Sequence, residues 1–119
     1  MDKRLTRRVL LIGWDGADWK IINQLLDAGQ MPAMDRFINE GTMGNIATLK
    51  PTLSPVLWST IATGKRADKH GILGFLETLP DGSGVRPVSG ESLKCKPLWN
   101  IVEDCGLKSG VVGLSLIHI

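Results

Sequence analysis

The chain of 119 residues has only two cysteines, Cys95 and Cys105, too few for a disulfide framework or a sulfur-ligated metal cluster. It has no apolar run near the roughly 18 residues of a membrane-spanning helix. A strong charge of either sign is also lacking. The formal net charge of +2 makes no electrostatic case for a nucleic-acid polymer or an anionic membrane as partner. Lys3, Arg4, Arg7 and Arg8 crowd the start, where they read as a solvated lead-in to a first strand. The apolar stretch behind them, residues 9–14, is too short for a signal-peptide core, and no small-residue cleavage site precedes Asp15. With no export signal and no membrane segment seen, a cytoplasmic location is the default expectation.

What is present is an ordinary globular composition, 43% hydrophobic and 22% charged, in a chain long enough for one small domain with a core. The run Val9-Leu10-Leu11-Ile12-Gly13-Trp14 predicts a buried strand over residues 8–13. A helix follows over 18–28, with Trp19, Ile22 and Leu26 on one face, Ile21 and Leu25 beside them, and Gly29 as its stop. Pro32 opens a second helix in which Met34, Phe37 and Ile38 recur at helical spacing until Gly41. Residues 42–49 predict a strand with Ile46, Ala47 and Leu49 inward.

A third helix is expected over 55–63, ended by Gly64, and then a polar, glycine-punctuated loop over 65–74. Pro80-Asp81-Gly82-Ser83-Gly84 signals a turn, hence a loose hairpin or an insertion within 77–91. Pro97 opens a further helix in which Leu98, Ile101, Val102 and Cys105 form an i, i+3, i+4, i+7 stripe, so that Cys105 is expected in the core. Residues 109–114 predict another buried strand. The tryptophans fall mostly on helical faces, as core or rim. Strands alternating with helices predict an α/β fold with a mostly parallel sheet and helices on both faces. The apolar end, Leu114-Ser115-Leu116-Ile117-His118-Ile119, follows directly on a core strand and suggests a truncated fragment.

Two residues sit where such a fold places chemistry. Asp15 follows the first strand, and ligands gather beyond the carboxyl ends of strands in open α/β sheets. A carboxylate there can hold Zn²⁺ or another divalent ion, with Gly16 letting the backbone approach closely. Its other reading is a cap for the following helix, which Asp18 could provide equally well. Ser54 precedes Pro55 and reads as an N-cap with the first helical position after it. Unpaired N–H groups and partial positive charge at a helix N-terminus favour a phosphate and a developing alkoxide. A serine hydroxyl needs a base or a metal to become a nucleophile. From position alone the plain N-cap is the simpler reading.

Other patterns fail. Gly64-Lys65 is not a phosphate-binding P-loop, because Ser59 occupies the place of its first glycine. Asp15-Gly16-Ala17-Asp18 lacks the Asp-x-Asp spacing of aspartyl-phosphate phosphatases. His70 has no histidine or cysteine at ligand spacing and reads as a loop-packing residue; Cys95 and His118 carry no role.

Three blocks in order, VLLIGWDG at residues 9–16, PTLSPVLWSTIATG at 51–64 and KHGI at 69–72, resemble the N-terminal part of type I phosphodiesterase/nucleotide pyrophosphatase proteins of the alkaline phosphatase superfamily. The resemblance spans residues 8–113. It implies a mixed sheet between helices and two divalent metal ions, usually zinc. Asp15 then matches the aspartate metal ligand after the first strand. Ser54 matches the Ser or Thr nucleophile, which also touches a metal. The implied reaction has two displacements, in which Ser54 takes the phosphoryl group and water then releases it.

The family's other metal ligands, an Asp-x-x-x-His pair, an Asp-His pair and a later His, are absent from this chain. Phe75 stands near the place of an Asn that often holds a phosphate oxygen in nucleotide pyrophosphatases. After Val111-Val112-Gly113 the family continues with tryptophan-rich sequence, which this chain does not have. Residues 1–113 thus read as the N-terminal part of an alkaline phosphatase-like catalytic domain and 114–119 as a tail of doubtful origin.

The expected function is a metal-dependent hydrolase of small-molecule phosphate esters acting through Ser54, of phosphodiesterase or nucleotide pyrophosphatase type, with the fragment alone inactive. A phosphomonoesterase or phosphoryl transferase lies within the same class. A sulfatase drops out, because Ser54-Pro55-Val56-Leu57 lacks the Cys/Ser-x-Pro-x-Arg context. The alternative from another class is a non-catalytic binding domain that keeps the fold without a complete metal site.

Overall fold

The computed structural model describes residues 8–114. They divide between Ile46 and Ala47 into two compact units.

In the first unit, α1 (Trp19–Asp27) and α2 (Pro32–Glu40) are in contact. The periodicity of the sequence explains α1: Ile22 is buried, while Trp19, Leu25 and Leu26 are half-buried around it. Pro32 supplies the first turn of α2 at no hydrogen-bond cost, because that N–H lacks an intrahelical partner in any helix. Met34 and Ile38 are half-buried, but Phe37 is exposed.

The second unit is built around α3 (Ser54–Thr63), which packs on the short α4 (Ala67–His70). Pro55, Val56, Ser59, Ala62 and Thr63 form the buried face of α3. These side chains are mostly small, so a neighbouring backbone can come near. Next comes an antiparallel hairpin of β1 (Leu76–Thr78) and β2 (Val85–Pro87), with Glu77 opposite Arg86. The Pro80–Gly84 turn signal is its loop. A 3₁₀ turn (Gly90–Ser92) leads to α5 (Leu98–Asp104). Glu77 joins hairpin and turn: it accepts from Arg86 Nε at 2.6 Å and from Ser92 Oγ at 2.9 Å. Those bonds, Ser92 first, hold its carboxyl below the usual carboxylate range.

The mix of helix and strand is as expected, but the mostly parallel sheet is not formed among the described residues. Their single sheet is the two-stranded antiparallel hairpin. The segments 8–13, 42–49 and 109–114 have no regular secondary structure. Val9, Leu10 and Ile12 are exposed, and so are Ile46 and Val112, at 96% and 98%. A β-strand exists only with a partner that completes its hydrogen-bond ladder, and among the described residues the only ladder is that of the hairpin. The same lack of cover leaves Cys105 exposed instead of in the core. Leu98 and Ile101 on the same stripe are also exposed. The basic residues Lys3, Arg4 and Arg7, and the tail beyond Leu114 with His118, lie outside the described residues.

Candidate functional site

Asp15 lies in a turn ahead of α1 and is exposed. Gly16 beside it has φ 71°, and the space where a Cβ would stand is open. A backbone in that left-handed region favours glycine. The cap of α1 is Asp18, whose Oδ1 accepts the Lys20 N–H at 2.8 Å. Of the two acids that could equally cap the helix from sequence alone, the geometry commits Asp18 to that task. Asp15 keeps a solvent-facing carboxylate, a hard oxygen donor of the type that binds divalent ions.

Ser54 is exposed and is the first residue of α3, one position further into the helix than expected. Leu53 is the N-cap, and no side chain makes a capping hydrogen bond at this end. The plain N-cap reading of Ser54 is therefore not what the helix uses. Pro55 follows as a buried anchor without an N–H. Leu57 N–H already bonds the Leu53 carbonyl at 3.0 Å. Val56 N–H lies within the turn that has no intrahelical acceptor, so the positive end of a helix of 10 residues opens beside an exposed hydroxyl.

Asp15 and Ser54 belong to different units, and each is positioned by its own. Among the described residues no three His, Cys, Asp or Glu side chains come together in a metal-binding group. Taken each by itself, Asp15 is an exposed carboxylate residue and Ser54 an exposed hydroxyl residue.

His70 is fully buried and packs as expected, but it ends the helix α4 where the sequence predicts a loop over 65–74. Its ring makes two hydrogen bonds, with the Ile72 N–H at Nδ1 and with Thr60 Oγ1 at Nε2, both 3.1 Å. Desolvation by burial lowers its pKa from the ordinary 6.5, against smaller opposing effects of the Val56 carbonyl and the Asp68 carboxylate. Thr60 had no place among the sequence candidates. The only signal for it was a hydroxyl at i+4 from Val56 on the buried side of α3.

The family model described as Type I phosphodiesterase / nucleotide pyrophosphatase matches residues 9–116 of the chain. No curated protein and no solved structure matches it.

Proposed function

The chain belongs to the type I phosphodiesterase/nucleotide pyrophosphatase family, and on that footing we propose that it carries the nucleophile and one metal ligand of a phosphoester hydrolase. The observation that carries the reading is Ser54: an exposed hydroxyl at the first position of α3 that takes no part in capping it. Asp15 is assigned as a metal ligand, supported by its open carboxylate and by the commitment of Asp18 to α1.

Ser54 Oγ attacks phosphorus, forming the Oγ–P bond as the ester P–O bond breaks. The hydroxyl proton passes to solvent water, and the departing oxygen takes a proton from solvent. The free N–H groups and dipole of the first turn of α3 draw the phosphoryl oxygens and steady the negative charge there. Water then attacks phosphorus and its oxygen bonds there as the Oγ–P bond breaks; Ser54 Oγ regains a proton through solvent and the phosphate product leaves. Two divalent ions, zinc by family expectation, would be held in part by Asp15 and Ser54 and would supply Lewis-acid charge.

In the same reading, residues 8–13, 42–49 and 109–114 are strands of a mostly parallel sheet that complete their ladders in the whole protein. Their exposed apolar side chains support this. The substrate is a small-molecule phosphate ester, diester or pyrophosphate. Phe75, half exposed at 51%, stands near the place of the family asparagine that often holds a phosphate oxygen, so the substrate class extends beyond nucleotides.

The test supplies the whole protein with divalent metal and with chromogenic phosphodiester and phosphomonoester substrates. Turnover of either, lost on chelation and restored by added metal, is the expected result. Absence of turnover with both substrates across several divalent metals would leave the non-catalytic binding domain as the better account.

A further inference from the structure

The Lys69-His70-Gly71-Ile72 segment is tied to α3 by hydrogen bonds whose directions follow from the Ile72 donor, with the Val56 carbonyl also acting on the His70 ring. His70 Nδ1 faces the Ile72 N–H, a donor, so Nδ1 is the acceptor and the neutral ring carries its hydrogen on Nε2. Thr60 Oγ1 spends its one hydrogen on the Val56 carbonyl at 2.9 Å. It therefore accepts from His70 Nε2–H across the 3.1 Å contact. The chain of donors runs in one direction: Ile72 N–H to His70, His70 to Thr60, Thr60 to Val56. It ends in the first turn of α3, two residues from Ser54.

The histidine is itself fixed from behind. Its carbonyl accepts the Lys94 N–H at 3.0 Å. Gly71, at φ 83°, lies so near the Lys94 stem that a Cβ would come within 2.8 Å of Cγ and Cδ. Ile72 is 2% exposed and seals the same corner.

We propose that His70, as the neutral Nε2–H tautomer, is a positioning residue for the nucleophile, acting through Thr60 to fix the first turn of α3. This rests on the reading of Ser54 as nucleophile. Placement of an attacking atom matters steeply: a shift near 1 Å costs about 100-fold in rate. A hydroxyl-mediated tie to the carbonyl at Val56 restrains that turn, where the helix's own ladder is least complete. His70 needs no contact with substrate to do this.

Replacing the buried His70 invites misfolding, so the decisive variants are at Thr60, in the whole protein. Thr60→Val keeps the side-chain shape and removes the hydroxyl; Thr60→Ser restores it. The expected result is a kcat about tenfold lower in Thr60→Val, with KM and metal content near wild type and most of the loss recovered in Thr60→Ser. Equal kcat in wild type and Thr60→Val would overturn the proposal.

A second measurement needs no activity. Nitrogen-15 NMR of the imidazole should show hydrogen on Nε2, and the Ser54 and Val56 amide signals should move in Thr60→Val but not in Thr60→Ser. Hydrogen on Nδ1, or unmoved amides, would overturn the proposal. Wild-type protein without turnover, but with the expected spectra, would count against the hydrolase reading and not against the tie.

Discussion

His70 Nε2 and the Thr60 hydroxyl meet at 3.1 Å, joining the last residue of α4 to the middle of the helix that begins at Ser54. Thr60 in turn bonds Val56 at 2.9 Å. The contact explains why a histidine is buried in a unit with a modest apolar core. Both ring nitrogens are used, so the neutral ring is satisfied and the charged ring is not.

A pH dependence follows. The folded pKa of His70 lies below the ordinary 6.5, chiefly through burial. In the interval between those values the unfolded chain binds a proton that the folded chain does not, so stability rises with pH across it. The contribution is fully present above 6.5 and is lost as pH falls toward the folded pKa. The nearby Asp68 carboxylate narrows the interval, and the Lys94 backbone N–H holds the carbonyl and not the ring. Denaturation midpoints measured on both sides of 6.5 should fall on the acid side, and His70 should titrate below 6.5 by NMR. A His70 that titrates at or above 6.5 would remove the effect.

Asp15 and Asp18 should separate cleanly by substitution. Asp15→Asn is expected to lower bound metal in the whole protein while leaving α1 intact. Asp18→Ala removes the bond to Lys20 and should cost about 1 kcal/mol of stability, with metal content unchanged. Metal analysis beside thermal melts reads both. Equal metal content in wild type and Asp15→Asn would remove Asp15 from the ligand set.

Gly71→Ala should be damaging for two reasons. The left-handed backbone at φ 83° strains any side chain, and the Cβ would meet the Lys94 stem at 2.8 Å. A loss of about 1–2 kcal/mol is expected from the backbone conformation alone. Equilibrium unfolding measures it, and a neutral result would show that the corner is looser than its contacts indicate.

The sequence made the helices legible because their signals are local. Trp19, Ile22 and Leu26 mark one face of α1, while Pro32 and Pro97 mark helix starts. Pro80 to Gly84 likewise betrays the hairpin turn. The segments 8–13, 42–49 and 109–114 carry strand-like apolar residues, but a strand is made by a partner distant in the chain. Ile46 and Val112 stand exposed for want of one. The helix α4, with four residues, is too short to leave a period in the sequence.

For the candidate site, sequence named Asp15 and Ser54 but could not divide the capping task between Asp15 and Asp18, nor place Ser54 within one residue at the helix start. The Asp18 side-chain bond to the Lys20 N–H settles the first question and the backbone of α3 the second. The Thr60–His70 tie was out of reach for the reason the strands were: it joins residues that become neighbours only on folding.

The central claim is that Ser54 is the nucleophile of a metal-dependent phosphoester hydrolase, and its most direct measurement is the turnover of Ser54→Ala. The whole protein carrying that substitution, matched to wild type in fold and metal content, should lose nearly all turnover of a chromogenic phosphodiester. Turnover equal to wild type would contradict the account.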